Sequence, residues 1–438
     1  MNVYEKTQHR LKVIFEEFDN AYVSFSGGKD SGVLLNLCVD YIRKNLPGRK
    51  LGVFHLDYEA QYTMTTEYVD KALSENQDII EVYRCCVPFK VTTCTSMYDA
   101  FWRPWEEEKK DLWVSKLPKK YYTKEDFPFF KENMWDYEFQ ELFSSWIHEK
   151  KGAKKTCCLV GIRTQESLDR WRAIHSDRNY NKFKDYQWTK KMDTNVYNAY
   201  PIFDWTTQDI WVGNAKFNWS YNRLYDLFYK AGLTIDKMRV ASPFLSTAQE
   251  SLKLYRIIEP DTWGKLISRV NGVNFTALYG GTKAMGRKNV KLPEGHTWKS
   301  YMEFLLKTLP NKTSDNYKKK VETSIKFWRE RGGVLSDETI QELRKENVKF
   351  KIVGTTNYKT DKVAVTMEYV DDTNVKEFND VPSYKRICLA ILRNDHLLKS
   401  CGFSLTKGEM ELRQNATNKY ENLKSKISGK KRNWNSRD

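Results

Sequence analysis

Apolar and polar positions in the first part of the chain follow two periods. Val3, Leu11, Val13, Ile14 and Phe18 recur among charges at helical spacing, which predicts an amphipathic helix over 3–17. Ala21-Tyr22-Val23-Ser24-Phe25 is a short run of β-formers. Val33-Leu34-Leu35-Asn36-Leu37-Cys38-Val39 follows it as a helix that runs to about Asn45, where Leu46-Pro47-Gly48 breaks it. Residues 51–56, 79–84 and 156–160 are further buried-type strands, and 65–74 is helical. Repeated strand–helix units of this length predict an α/β fold with a doubly wound, mostly parallel sheet.

The rhythm stops between 98 and about 137, where Phe101-Trp102-Arg103-Pro104-Trp105 and Leu112-Trp113-Val114 lie among Lys and Glu. Interleaved aromatics and cations suit base stacking with phosphate contact. They equally suit an amphipathic lid packed over a site, which is the preferred expectation. Further on, Pro201-Ile202-Phe203-Asp204-Trp205 leads to Thr206 as an N-cap with Asp209 three residues on, and 222–232 is a helix stopped by Gly232. Helices are predicted over 248–257, 261–270 and 317–331, strands over 349–353 and 363–369, and a helix over 382–393. The expected organisation is a nucleotide-binding domain over 1–245 with a lid-like insertion at 98–150, a helical domain over 246–335, and a small α/β unit over 336–438 with a basic tail. Gly332-Gly333 is a candidate joint.

Chemistry concentrates after the first strand, in Ser24-Phe25-Ser26-Gly27-Gly28-Lys29-Asp30-Ser31-Gly32. Gly27 and Gly28 permit positive φ and a close backbone approach to an anion. Ser26 and Ser31 add hydroxyls, Lys29 adds a point charge, and a helix beginning near Gly32 aims its free N–H groups at the same spot. This is a phosphate cradle without the spacing of a Walker A loop. At the end of the second strand, Asp57-Tyr58-Glu59-Ala60-Gln61-Tyr62 falls on the adjacent sheet edge, where Asp57 either meets a ligand or caps a helix. At the end of the fourth strand, Gly161-Ile162-Arg163-Thr164-Gln165-Glu166-Ser167-Leu168-Asp169-Arg170 places Arg163 at the sheet edge and Arg170 on the following helix. There Arg170 either forks onto an anion or pairs with Glu166 four residues earlier.

These segments resemble the PP-loop ATP pyrophosphatase superfamily, in its phosphoadenosine phosphosulfate (PAPS) reductase and ATP sulfurylase branch. The resemblance covers roughly residues 20–245. It implies an adenine nucleotide-binding fold of the alpha-hydrolase type and cleavage between the α- and β-phosphates of ATP, or handling of a related nucleotide. Nucleotide contacts are implied at Ser24, Ser26, Gly27, Gly28, Lys29, Asp30, Ser31, Asp57, Gly161 and Arg163, and catalytic roles at Lys29, Asp30, Arg163 and Arg170. Mg²⁺ is expected because adjacent phosphates need more neutralisation than one Lys supplies; its ligands are not readable, and no general base is identifiable. A reductase-like domain with a long extra C-terminal region is similar to the IbrA-type proteins, co-activators of prophage gene expression. The sequence departs from thiol-dependent reductases, which carry a nucleophilic cysteine in a Glu-Cys-Gly-[Ile/Leu]-His context: Cys388 and Cys401 have no such neighbours. Cys85-Cys86 and Cys157-Cys158 sit in predicted strands, where adjacent side chains face opposite ways, so no iron–sulfur cluster is expected.

Composition narrows the partners. The 438 residues carry a formal net charge of +16, part of it in Lys424-Ser425-Lys426-Ile427-Ser428-Gly429-Lys430-Lys431-Arg432, which is expected to be a solvated tail. Such a chain faces nucleic acid, an anionic nucleotide or an acidic regulatory protein. No run approaches the roughly 18 apolar residues of a membrane span, and no secretory leader is expected, so eight Cys point to a reducing cytoplasm. Three functions follow: an ATP-cleaving or adenylating enzyme serving nucleic-acid modification or gene regulation; a sulfur-assimilation enzyme using PAPS or adenylyl sulfate; and a non-enzymatic, nucleotide-gated adaptor.

Overall fold

The computed structural model describes residues 1–96, 98–166, 170, 174, 182–245, 248–279, 290, 292–353, 362–376, 378, 380–398 and 401. The basic tail and Ser167 lie outside the described residues. The chain divides into two compact units, one of Met1–Val91 with Phe101–Val270 and one of Thr92–Ala100 with the described residues from Asn271 on. The expected boundary at 245/246 falls inside the first unit.

The first unit is built on a six-stranded sheet. Its strands are β1 (Asn20–Ser24), β2 (Leu51–Leu56), β3 (Ile80–Cys85), β4 (Thr156–Val160), β5 (Thr189–Asp193) and β6 (Val196–Ala199), in the order β3-β2-β1-β4-β6-β5. All neighbours are parallel except β5, which runs antiparallel to β6 at the edge. The winding reverses between β1 and β4, and at such a switch point the loops leaving the two strands open a crevice. Strand alternation decides what each face meets. Val23 and Val53 join a core shared with α1 (Val3–Glu17), α2 (Lys29–Asn45) and α3 (Thr63–Ser74). Tyr22 and Phe54 face the other way, onto Phe143 of α4 (Asp136–Lys150); the Phe54 and Phe143 rings stack at 4.1 Å.

Local chemistry sets the ends of these elements. Asn2 and Glu5 form a capping box on α1, and Arg10 forks onto Asp204 at 2.7 and 2.8 Å while donating to the Pro201 carbonyl. That contact fixes the segment entering α5 (Thr207–Lys216), whose Thr206–Asp209 capping box is as the sequence predicts. Helix α6 (Leu224–Lys230) ends before Gly232, which has φ +80°. Helices α7 (Gln249–Ile258) and α8 (Pro260–Arg269) complete this unit.

The aromatic insertion is largely core. Phe127, Phe129, Phe139, Phe143 and Trp146 pack together against Tyr83, and Trp102 and Trp105 are buried. These two tryptophans are therefore not exposed platforms for stacking bases. Trp105 instead covers the β2 edge, donating its indole N–H to the Asp57 carbonyl at 2.8 Å.

The second unit contains a three-stranded antiparallel sheet of β7 (Gly333–Leu335), β8 (Phe350–Ile352) and β9 (Val363–Met367), with β9 central. One core gathers Trp298, Leu306, Tyr317, Ile387 and Ile391; another gathers Leu335, Leu343, Val365 and Val381. Gly332 and Gly333 are a tight entry to β7 and not a break between bodies. A Cβ on Gly333 would come within 2.2 Å of the Trp328 ring.

Candidate functional site

The residues between β1 and α2 form a self-closed loop. Phe25 keeps its backbone in register, its N–H donating to the Phe54 carbonyl at 2.8 Å. Gly27 then turns with φ +74°, a conformation that strains any residue with a Cβ, and an added Cβ would lie 2.8 Å from Val69. Gly28 is the N-cap of α2, so the helix begins at Lys29, three residues earlier than the sequence predicts. The reason is local: Asp30 and Ser31 are good first-turn residues that complement the dipole and the free N–H groups. The hydroxyls of Ser26 and Ser31 lie 3.0 Å apart, and the Ser31 hydroxyl receives the Ser26 N–H at 3.2 Å and reaches the Gly28 carbonyl at 3.1 Å. Lys29 N–H donates to the Tyr225 hydroxyl at 3.2 Å, and Asn222 donates to the Gly27 carbonyl and to Thr65.

The loop leaving β4 closes over the same spot. A Cβ on Gly161 would sit 3.1 Å from the Asp30 carbonyl carbon and the Ser31 nitrogen, a crowded contact with the backbone of α2 that glycine avoids. Thr164 anchors the far side through its N–H and hydroxyl to the Phe203 carbonyl. Arg163, 1% exposed, donates through Nε to Asp30 at 2.6 Å and through its other nitrogens to Gln165, the Trp205 carbonyl and Glu166. Asp30 also receives Lys29 Nζ at 2.7 Å. Glu166 pairs with Arg170 and lies 4.0 Å from Lys29 Nζ.

Electrostatically this is an excess of cations in a crowded space. Burial holds the Lys29 ammonium below its ordinary pKa despite the pull of Asp30, and Arg163 and Arg239 push in the same direction. Arg170 is likewise lowered, by burial first and then by Arg239. Among the described residues Arg239 has neither hydrogen bond nor ion pair, and its Nε is shut off from solvent.

The structure thus brings together Ser26, Gly27, Gly28, Lys29, Asp30, Ser31, Gly161, Arg163 and Arg170. Ser24 ends β1 inside the ladder, opposite Phe54 and Val160. Asp57 stands apart: one oxygen is held by Arg84 at 2.9 and 2.8 Å, and the other accepts the Glu59 N–H. Glu59 has φ +62° and is buried, its carboxylate bound by Arg269 at 2.8 and 2.9 Å and by the Trp105 and Val114 N–H groups. His55, beneath the loop, donates its Nδ1–H to the Phe25 carbonyl at 2.8 Å. Sequence reasoning missed Tyr225, Asn222 and Arg239. Tyr225 lies in α6 and Asn222 just before it, in a segment that reads as architectural, and Arg239 lies in no motif.

Magnesium finds no uncommitted carboxylate here, since Asp30, Glu166 and Asp57 are all engaged by Lys or Arg. No cluster of three or more metal-ligating side chains occurs among the described residues. An ion at this loop would be carried on the phosphate oxygens of its ligand. Cys158 and Cys388 are poor nucleophiles: burial pushes both up to about 12. No helix among the described residues is long and apolar enough to cross a membrane.

The first unit is an α/β fold, a doubly wound, mostly parallel sheet with a glycine loop at its switch point. Residues 20–231 match the phosphoadenosine phosphosulfate reductase domain, and residues 232–412 match a domain of unknown function, DUF3440. The chain is thus similar to the phosphoadenosine phosphosulfate reductase domain over residues 20–231, with a further C-terminal region after it. It is 29% identical to the uncharacterized protein YbdN of Escherichia coli (strain K12) over 439 residues, spanning 99% of this chain and 96% of that protein. Among solved structures, the PAPS reductase of Candida auris in complex with phosphate is 15% identical, covering 50% of this chain and 84% of that one with a TM-score of 0.29. The FMN adenylyltransferase of Candida glabrata, in complex with FMN and the ATP analog AMPCPP, is 17% identical over 51% of this chain and 58% of that one, with a TM-score of 0.31.

Proposed function

We propose that the first unit binds an adenine nucleotide at the glycine loop and cleaves it between its first two acidic groups, transferring the adenylyl group from ATP to an acceptor. One observation carries this reading. Backbone N–H groups, two hydroxyls and a surplus of guanidinium and ammonium groups converge at the sheet's switch point, within a reductase-type domain. Such preorganised donors are strongest where charge develops on a leaving pyrophosphate. Lys29 and the α2 N-terminus would hold phosphate, Asp30 would hold Lys29 and Arg163 in place, and Arg170 would stabilise the departing charge. The buried thiols favour this chemistry over a thiol-dependent reduction.

The net charge of +16 supports a link to nucleic-acid modification or to regulation of gene expression in the cytoplasm, with nucleic acid or an acidic regulatory protein as partner. With Trp102 and Trp105 buried, contact with a polyanion would rest on Lys and Arg.

The test is incubation with α-labelled ATP and Mg²⁺, with and without DNA or RNA. Release of AMP and pyrophosphate, or a labelled acceptor, is expected; ADP as the product would overturn the α–β assignment. Binding without turnover would favour the nucleotide-gated adaptor. The match to the reductase domain itself favours a second reading, use of PAPS or adenylyl sulfate. Thioredoxin-dependent release of sulfite from PAPS would establish it.

A further inference from the structure

We propose that the second unit carries a nucleic-acid-binding face made by Arg344, Lys345, Lys349, Lys351 and Lys376. This face holds the phosphate backbone and does not read the bases. The inference rests on the nucleic-acid partner of the proposed function and is independent of the chemistry at the glycine loop.

The net charge is unevenly placed. Residues 1–270 hold 40 Lys and Arg against 37 Asp and Glu, whereas residues 271–438 hold 33 against 20. Of the +16, +13 therefore falls on the second stretch, and the stretch with the glycine loop is nearly neutral. The tail is not the whole of it, since residues 271–401 alone hold 24 against 16.

Pairing decides where that excess is available. Around the second unit's sheet, Arg329 is tied to Glu368, Lys362 to Asp380 and Lys385 to Asp372. The corner between the helix Asp337–Lys345 and strand β8 differs. There Glu342 accepts the Lys376 N–H at 2.8 Å, and Glu346 accepts the Asn374 N–H at 2.9 Å and the Thr373 hydroxyl at 2.6 Å. The carboxylates of the corner are thus engaged in holding residues 373–376. Arg344, Lys345, Lys349, Lys351 and Lys376 are all exposed, and none has an ion pair among the described residues.

Geometry joins the five. The Arg344 guanidinium lies 5.9 Å over the ring of Phe350, the residue between Lys349 and Lys351. Strand alternation puts those two lysines on the same side, about 6.8 Å apart, a separation comparable with the step between neighbouring phosphates of one strand. The Lys376 backbone is anchored on Glu342, one turn before Lys345. A helix end gains from one or two cations, and an edge strand from a lysine that blunts it. Neither need accounts for five uncompensated charges at one corner, whose mutual repulsion a polyanion relieves. By contrast, Lys312, Lys319 and Lys326 of the helix Asn311–Glu330 share their exposed face with Asp315, Glu322 and Glu330. The aromatic ring of the corner, Phe350, is half-buried under Arg344, so the contact is with phosphate and not with stacked bases.

The experiment measures binding of labelled duplex and single-stranded oligonucleotides to the full chain over a range of salt concentrations. Changing Lys345, Lys349, Lys351 and Lys376 together to Gln keeps Arg344 and its ring contact. Duplex binding should weaken by roughly a hundredfold or more at about 0.1 M salt, and the salt slope should fall by about three to four. A control with Lys307, Lys312, Lys319 and Lys326 changed to Gln removes the same charge and should alter affinity little. Changing Lys345, Lys349 and Lys351 together to Arg should preserve binding, since a phosphate backbone asks for charge. The parent should bind duplexes of different sequence equally and should not prefer single strands. Melting temperatures of the three variants should match the parent, which separates a lost contact from a lost fold. Equal losses in the two Gln variants, or unchanged binding in the first, would overturn the proposal. Polyglutamate competing as well as duplex would also overturn it, in favour of an acidic protein partner. If the parent binds no oligonucleotide, the nucleic-acid partner falls together with this face. If only the first Gln variant behaves as the parent does, the partner stands and the face alone falls.

Discussion

Asp30→Asn separates holding the loop from holding the ligand. The Asp30 carboxylate lies 2.7 Å from Lys29 Nζ and 2.6 Å from Arg163 Nε, both on nearly buried side chains. Removing one member of a buried pair typically destabilises by about 3–5 kcal/mol, because the partner charge remains desolvated. Asparagine keeps the size and one acceptor oxygen, so the low end, about 3 kcal/mol, applies. At about 2–4 °C per kcal/mol for a body of this size, the ligand-free melting temperature should fall by roughly 6–12 °C. Anion binding should move the other way. With the carboxylate gone, a phosphate meets Lys29 and Arg163 without a like charge a few ångströms away, and pyrophosphate should bind roughly tenfold tighter. Thermal unfolding with and without pyrophosphate reads both effects. A melting temperature within 2 °C of the parent would refute the buried-pair argument. Loss of pyrophosphate stabilisation would show that Asp30 acts on the ligand directly.

Gly27→Ala should destabilise the first unit by about 1–3 kcal/mol, since it strains φ +74° and crowds Val69, and should abolish nucleotide-induced thermal stabilisation. Because burial holds Lys29 below its usual pKa, phosphate binding should be accompanied by proton uptake that grows as pH rises towards that lowered value. Calorimetry in buffers of different ionisation heat measures this, and Lys29→Ala should lose the uptake together with roughly tenfold in affinity. His55 is held below 6.5 by burial, so as pH falls through 6.5 the unfolded chain takes up its proton first. Stability should therefore decline below pH 6.5, and urea midpoints at pH 7 and pH 5 should show a shallower decline for His55→Gln. A chain ending at Asn422 should bind oligonucleotides more weakly than the full chain. The affinity that the tail supplies should fall by about 0.7–0.9 log unit per log unit of salt for each phosphate neutralised, as filter binding at two salt concentrations would show.

The strand–loop–helix at 20–45 was legible because every signal in it is local: β-formers, two adjacent glycines, then an apolar helical run. The start of α2 was not, since Lys-Asp-Ser reads as loop until Gly28 is seen to be its cap. Strand β5 has a mostly exposed Thr-Lys-Lys-Met-Asp sequence, and an edge strand of that polarity leaves no apolar period to detect. The insertion's aromatics showed that something would be covered but not what, because one sequence of alternating Trp and Lys serves a lid, a stacking surface or a core. Asp57 could not be told from a ligand-binding carboxylate without Arg84, which comes from the neighbouring strand. Arg239 was hidden for the same reason, since the glycine loop that its neighbour Val240 packs beside lies about two hundred positions earlier.

The burial of Glu59 has a consequence for how this chain can be divided. Its carboxylate faces no water and is satisfied from three directions, by Trp105, Val114 and Arg269. Arg269 belongs to the stretch matched by DUF3440, yet it lies within the first compact unit. The boundary between the two sequence families at 231/232 is therefore not a seam of the folded molecule. A fragment ended there would leave the Glu59 carboxylate without its counter-ion, whereas one carried on to Val270 keeps the pair. The segment 232–270 has in effect been annexed by the neighbouring fold, and a gene fusion that exchanged the two halves at 231 would separate an acid from its base.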